Sequence, residues 1–141
     1  MRMFLGEYNP NITEGSRISL PKKFREQISS AEVILSKGFE KCIFVYDTQE
    51  WSSNVQKQVE NLNGSLNKSD LERYLYTSAT ESAVDSQGRM VIPANLKDYA
   101  GIDTKTAVIG VGDHIEIWDQ DKWQEHVEKI SRELSANELS A

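Results

Sequence analysis

The feature that most constrains this chain is an internal repeat. Shifted by 72 positions, the 141-residue sequence lays Arg17 on Arg89, Pro21 on Pro93, Gly38 on Gly110, Ile43 on Ile115, Asp47 on Asp119 and Trp51 on Trp123. Similar residues fill the intervals: Ile12 with Val84, Leu20 with Ile92, Phe24 with Leu96, Arg25 with Lys97, Val45 with Ile117, Tyr46 with Trp118. No gap is needed to bring these pairs into register, and two prolines and two tryptophans seldom coincide by chance. A repeat of this kind predicts one supersecondary unit built twice. Each copy is too small to be comfortable alone, so the two are expected to share a core about an approximate twofold axis.

The same order of elements is legible in both copies. A short strand ends in a turn around Gly15 or Gly88, and a second strand follows over Arg17–Leu20 or Arg89–Ile92 with alternating apolar side chains. Pro21 and Pro93 then open helices over Lys22–Ile28 and Ala94–Ala100, since proline is tolerated in a first helical turn. Phe24 and Ile28 share one helix face, as do Leu96 and Ala100, and Gly101 is suited to a C-terminal cap. Hairpins come next, Val33–Lys37 with Cys42–Tyr46 around Gly38–Lys41, and Ala107–Val111 with His114–Trp118 around Gly112-Asp113.

Each unit closes with a helix for which Asp47 or Asp119 is a suitable N-cap, and Asp47 with Glu50 resembles a capping box. Trp51, Val55, Val59 and Leu62 form an apolar stripe on one closing helix; Trp123, Val127, Ile130 and Leu134 do so on the other. Asn61 to Ser69 reads as a linker, and Asp70–Ser78 as a further helix carrying Leu71, Tyr74 and Leu75. The small, polar tail after Ser135 is expected to fray. The chain therefore divides into 1–68, the first repeat with its closing helix and linker, and 69–141, the connecting helix with the second repeat and C-terminal helix. The fold class is α+β, mainly β.

A net charge of −6 argues mildly against a polyanionic partner, but its distribution matters more. Ser16 to Arg25 carries four cations (Arg17, Lys22, Lys23, Arg25) and no acid, whereas Gly112 to Ala141 carries eight acids against three cations. A basic loop can face a polyanion while an acidic tail faces water. The single cysteine, Cys42, excludes an internal disulfide and fits a reducing cytosol. No apolar run is long enough to span a bilayer, and no secretory signal is visible at Met1–Glu7.

The loops carry the chemistry. In Asp85-Ser86-Gln87-Gly88-Arg89, a carboxylate and a guanidinium stand four apart across a glycine turn, close enough for one to orient the other towards phosphate or a guanine edge. Alone, such a pair reads equally well as a surface ion pair worth about 0–1 kcal/mol. Recurrence of the arginine in Thr13-Glu14-Gly15-Ser16-Arg17 favours function, although Thr13 replaces the aspartate and the glycine falls one place earlier. Lys22 and Lys23 oppose the dipole at a helix start, an oddity that fits a site awaiting phosphate. The second copy has Ala94-Asn95 there, so the halves need not bind equally.

Trp51 and Trp123 read as packing residues on the hairpins. His114 and His126 have no partner at metal-ligand spacing, and no nucleophile–base arrangement, P-loop or dinucleotide fingerprint is present. Neither catalysis, a metal nor a cofactor is expected.

Met3-Phe4-Leu5-Gly6-Glu7-Tyr8, the two Arg-x-x-x-Pro segments, the Asp85–Arg89 loop and the hairpins leading into Tyr46-Asp47 and Trp118-Asp119 resemble the MraZ family of bacterial transcriptional regulators. The resemblance covers nearly the whole chain. It implies a tandem swapped-hairpin barrel of the AbrB, double-psi type with flanking helices, and a cytoplasmic, nucleoid-associated protein whose protomers form a closed ring. It further implies binding of double-stranded DNA at short direct repeats in its own promoter, upstream of the operon for division and cell-wall synthesis. Asp85 and Arg89 match the family's loop motif in full and Arg17 matches it, while Thr13 departs from the usual aspartate; Glu14 or the Thr13 hydroxyl is a substitute orienter. A second reading, from a different class, is an oligomeric antitoxin-like scaffold whose main partner is protein.

Overall fold

The computed structural model describes residues 3–64 and 66–137. In chain order the first half comprises β1 (Phe4–Tyr8), β2 (Arg17–Ser19), α1 (Lys22–Arg25), β3 (Glu32–Lys37) and β4 (Ile43–Asp47), then a 3-10 turn (Thr48–Glu50) leading into α2 (Trp51–Glu60). A connecting helix, α3 (Lys68–Ser78), leads into β5 (Thr80–Ala83), β6 (Arg89–Val91), α4 (Ala94–Ala100), β7 (Thr106–Gly112), β8 (Ile115–Asp119) and α5 (Gln120–Ala136). The class is a mixed helix and antiparallel-sheet fold, organised around its strands.

The halves exchange strands. One antiparallel sheet runs β1-β7-β8-β4-β3-β5, so β1 of the first half pairs with β7 of the second, and β5 of the second with β3 of the first. The remaining strands, β2 and β6, pair with each other as a two-stranded ribbon. Alternation along the strands then sorts side chains into two layers. Val33, Leu35, Ile43 and Val45 join Met90, Ile92, Leu96, Val108, Ile115 and Ile117 in a core drawn from both halves. Phe24 anchors it, meeting Phe4 and Tyr8 edge-to-face with ring centroids 5.6 and 5.3 Å away. The alternate residues Ile34, Phe44, Tyr46, Ala107, Ile109 and Trp118 face a second layer, where Trp51, Val55 and Val59 of α2 meet Leu71 and Leu75 of α3.

Several local expectations need adjusting. The hairpins are not in gap-free register: Leu35 pairs with Val45, ten positions on, whereas Val108 pairs with Ile117, nine positions on. The first hairpin turns through three residues, closed by the Gly38 N–H on the Cys42 carbonyl at 2.7 Å; the second turns through Gly112-Asp113, closed by the Val111 N–H on the His114 carbonyl at 2.9 Å. Gly38 and Gly110 therefore coincide in the 72-shift but not in structure. Gly110 is required because a Cβ there would run into the Phe4 backbone, its carbonyl oxygen lying only 2.6 Å away.

Helix α1 spans only Lys22–Arg25, shorter than its expected end at Ile28, with Gln27 and Ile28 closing tighter turns onto the Phe24 and Arg25 carbonyls. Its counterpart α4 keeps the expected bounds and ends on Gly101 in the left-handed conformation. Pro21 and Pro93 occupy the position just before each helix rather than its first turn. Within the 61–69 linker, Ser65 lies outside the described residues, and α3 starts earlier than expected, at Lys68, capped by Asn67 on the Asp70 N–H. Helix α5 runs through Ala136; of the tail expected to fray after Ser135, residues 138–141 lie outside the described residues.

Candidate nucleic-acid interface

The β2–β6 ribbon is three pairs long, Arg17 opposite Val91, Ile18 opposite Met90, and Ser19 opposite Arg89. Ile18 and Met90 point into the shared core, each 1% exposed. Because residues two apart on a strand share a face, Arg17, Ser19, Arg89 and Val91 all emerge on the outer side. The two arginines are thus diagonal neighbours on one exposed surface. The ladder continues into the loops: the Leu20 N–H donates to the Gly88 carbonyl and the Ile92 N–H to the Ser16 carbonyl, both at 2.9 Å. Each half's loop is held by the other half's strand.

The second loop is a type I turn followed by a left-handed glycine, a common three-residue hairpin connection. The Gly88 N–H donates to the Asp85 carbonyl at 2.9 Å, and Gly88 has φ +79°. Asp85 Oδ1 accepts from the backbone N–H groups of Gln87 and Arg89, at 2.9 Å each, while Oδ2 accepts from Arg89 Nε at 3.1 Å. The Arg89 backbone N–H is the first cause holding the Asp85 carboxyl below its ordinary range, aided by Gln87 and the guanidinium. The pair is open to water, so its value lies in orientation rather than stability. Engaging Nε fixes the plane of the guanidinium and leaves its terminal nitrogens as further donors.

The first loop is built differently. Thr13 and Arg17 pair through backbone bonds of 2.8 and 3.4 Å, and both Gly15 (φ +79°) and Ser16 (φ +56°) are left-handed. The Thr13 hydroxyl donates to the Arg17 carbonyl at 3.4 Å and does not reach the guanidinium. Instead Arg17 Nη1 donates to the Glu14 backbone carbonyl at 3.3 Å. Glu14 thus orients Arg17 through its main chain, and through a terminal nitrogen, leaving a looser arrangement than a carboxylate on Nε.

Of the helix cations, Arg25 reaches the ribbon. Its side chain crosses Gly88 so closely that a Cβ there would overlap the Arg25 stem, with Cζ only 2.6 Å away. Arg25 Nε is buried with no hydrogen-bond partner among the described residues. This contact spans 63 positions and both halves, and nothing in the sequence pattern announces it. Lys22 and Lys23 are exposed on the same short helix, and among the described residues neither side chain is hydrogen-bonded or ion-paired to the ribbon. Ser19 and Val91, the latter 46% exposed, complete the outer face; strict alternation about Ile18 and Met90 is the signal that finds them.

The tryptophans pack as expected. Trp51 meets Tyr46 at 5.4 Å, and Trp123 meets Trp118 at 5.2 Å while its Nε1 donates to Glu7 Oε1 at 2.9 Å. Cavities of about 320 and 360 Å³ lie along Phe39, Leu62, Leu66, Leu71 and Tyr74, not on the ribbon. Among the described residues no group of His, Cys, Asp and Glu is arranged to hold a metal ion, and no helix is long and apolar enough to cross a membrane.

Fold and site together define a tandem-repeat protein whose halves trade strands and present a pair of loop-anchored arginines on one shared ribbon. The family model described as "MraZ protein, putative antitoxin-like" matches twice, over residues 3–70 and 75–141. Similar proteins include the "Transcriptional regulator MraZ" of Syntrophomonas wolfei, 40% identical over 89% of this chain and 87% of its own length. The protein of the same name from Lachnoclostridium phytofermentans is 37% identical over 98% and 99% respectively. That from Acetivibrio thermocellus is 36% identical over 98% and 97%. The chain belongs to the MraZ family.

Proposed function

We propose that this protein is a DNA-binding transcriptional regulator that reads double-stranded DNA through the β2–β6 ribbon. One observation carries the reading: two arginines, each anchored in its own turn, emerge as diagonal neighbours on the outer face of a two-stranded ribbon. A major groove admits such a ribbon, and guanidinium groups suit both guanine edges and phosphates. In this reading Arg17 and Arg89 make the principal contacts. Asp85 orients Arg89, Thr13 shapes the turn that carries Arg17, and Lys22, Lys23 and Arg25 meet flanking phosphates.

The exchange of β1, β2, β5 and β6 between the halves supports a swapped-hairpin, AbrB-like barrel as the parent architecture. A ring of protomers supports DNA binding by an acidic chain, because repetition multiplies weak grips without requiring a basic protomer. The target proposed is a set of short direct repeats ahead of the regulator's own gene, at the head of the division and cell-wall operon. The protein then acts in the cytoplasm, at the nucleoid, without catalysis or a cofactor, with its two units divided near residue 68.

Fluorescence anisotropy against a duplex from the region upstream of its own gene tests this. Tight binding over a scrambled duplex is expected, weakening steeply with salt as counterions are released. An Arg17→Ala/Arg89→Ala protein that binds as tightly as the parent would falsify the ribbon mechanism. Native mass spectrometry tests the ring, which a purely monomeric species would sink. The acidic second half, eight acids against three cations from Gly112 onward, favours one other reading, an antitoxin-like scaffold with a protein partner. Absence of any preference over scrambled DNA is the outcome that selects it.

A further inference from the structure

We infer that Arg25 is the second cation of the Asp85–Arg89 loop, making that loop the dominant DNA grip and the Arg17 loop the lesser one. The inference rests on the DNA-binding reading above and answers what that reading leaves open, how the two arginines share the work. In sequence Arg25 belongs to the first half. In space it lies across Gly88, the residue before Arg89, on the second half's loop.

Its stem and Nε are pinned there, and Nε is buried with no acceptor among the described residues. A planar guanidinium with Cδ, Nε and Cζ fixed has its two terminal nitrogens fixed as well. Among the described residues no carboxylate lies within ion-pair distance of it. An anion that reaches both Arg25 and Arg89 gains charge-assisted hydrogen bonds from two guanidinium groups.

The first loop lacks this arrangement. Ser16 stands where the repeat puts Gly88, at the same left-handed position, so a Cβ occupies the face that Arg25 crosses in the other loop. Beside Gly15, one place earlier, the space a Cβ would take is filled by the Arg17 guanidinium of the same loop. The second loop therefore has a carboxylate on the Arg89 Nε and a further cation laid across its glycine, whereas the first holds Arg17 by a main-chain carbonyl.

The test uses the full chain and the duplex from upstream of its own gene, titrated by anisotropy over a salt series. Arg25→Gln keeps most of the stem and removes the charge; Arg25→Lys keeps a charge. Arg25→Gln is expected to weaken binding about tenfold and to lower the log–log salt slope by about 0.9 for each protomer engaged. Arg25→Lys should regain most of that slope. Arg25→Gln should be non-additive with Arg89→Ala and additive with Arg17→Ala, and Arg89→Ala should cost more than Arg17→Ala.

A salt slope unchanged in Arg25→Gln, with the protein folded by thermal melt, overturns the inference, because a merely packing role leaves the slope alone. So does an Arg17→Ala loss equal to or larger than that of Arg89→Ala. If the parent itself ignores the duplex, the DNA-binding reading fails first and this inference falls with it.

Discussion

Burial alone pushes the His114 imidazole towards its neutral form, yet its pKa is raised. Glu116 and Asp113 outweigh the burial: Nε2 lies 2.9 Å from Glu116 and Nδ1 2.8 Å from Asp113. Tyr46 stacks on the ring at 5.1 Å and Phe44 meets it edge-on, while Lys57 of α2 pairs with the far oxygen of Asp113 at 3.6 Å. The ring therefore clasps the second half's hairpin to β4 and α2 of the first. A group whose folded pKa is raised contributes stability that is complete below its unfolded value, about 6.5 for histidine, and lost as pH rises through the folded value. Melting temperature is expected to fall from about pH 6.5 upward, and His114→Gln to flatten that fall in melts across the range. Asp85 acts in the opposite sense, contributing above the ordinary carboxylate range and losing its contribution as pH drops.

Gly88 supports a second prediction at this scale. Gly88→Ala meets both left-handed strain and the Arg25 stem, and should cost about 2–3 kcal/mol by urea denaturation. In an Arg25→Ala background the clash is gone, and only about 1–2 kcal/mol should remain. Equal costs in the two backgrounds would show that Arg25 does not lie there. The sequence announced Arg17, Asp85 and Arg89 by motif and by repetition. It was silent on Arg25 over Gly88 and on the clasp at His114, because each depends on which elements of the opposite half come to lie alongside.

At the scale of elements, the two closing helices look alike in sequence and differ in the fold. The α2 stripe is covered: Trp51, Val55 and Val59 are buried against the sheet and α3, with Leu71 and Leu75 facing them. On α5 no residue is fully buried; Trp123, Val127 and Ile130 are half-buried, and Leu134 is 47% exposed. Periodicity reports which face of a helix is apolar but not what covers it. Leu75→Ala should cost about 2–5 kcal/mol, whereas Leu134→Ala should stay within about 0.5 kcal/mol of the parent in the same denaturation assay. The hairpin offset escaped the sequence for a related reason. Its extra residue lies in a turn, and alternation on either side of the turn still delivers Ile43 and Val45 to the core just as it delivers Ile115 and Ile117.

At the scale of the molecule, the repeat announced a shared core, and Ile18, Phe24 and Leu35 do mix with Met90, Leu96 and Val108. The exchange of strands was beyond it, since alternation specifies a strand's faces and not the identity of its partner. Its consequence is cooperative. A fragment of residues 1–68 leaves β2 without β6 and β3 without β5, and a fragment of 69–141 leaves β7 without β1. Neither is expected to fold alone, while an equimolar mixture should recover the circular dichroism of the intact chain. Native-like spectra from the separate fragments would contradict the exchanged pairing.

The unequal loops on one ribbon also bear on the grammar of any operator this protein reads. A symmetric dimer places identical contacts about a dyad, and its site is palindromic. In the proposed reading both arginine loops lie in one polypeptide, and Ser16 and Gly88, at equivalent positions, sit in different turns. Such a pair has a left and a right. A sequence matched to it has polarity, so a head-to-tail series of words suits this architecture where an inverted pair would meet one loop in the wrong sense.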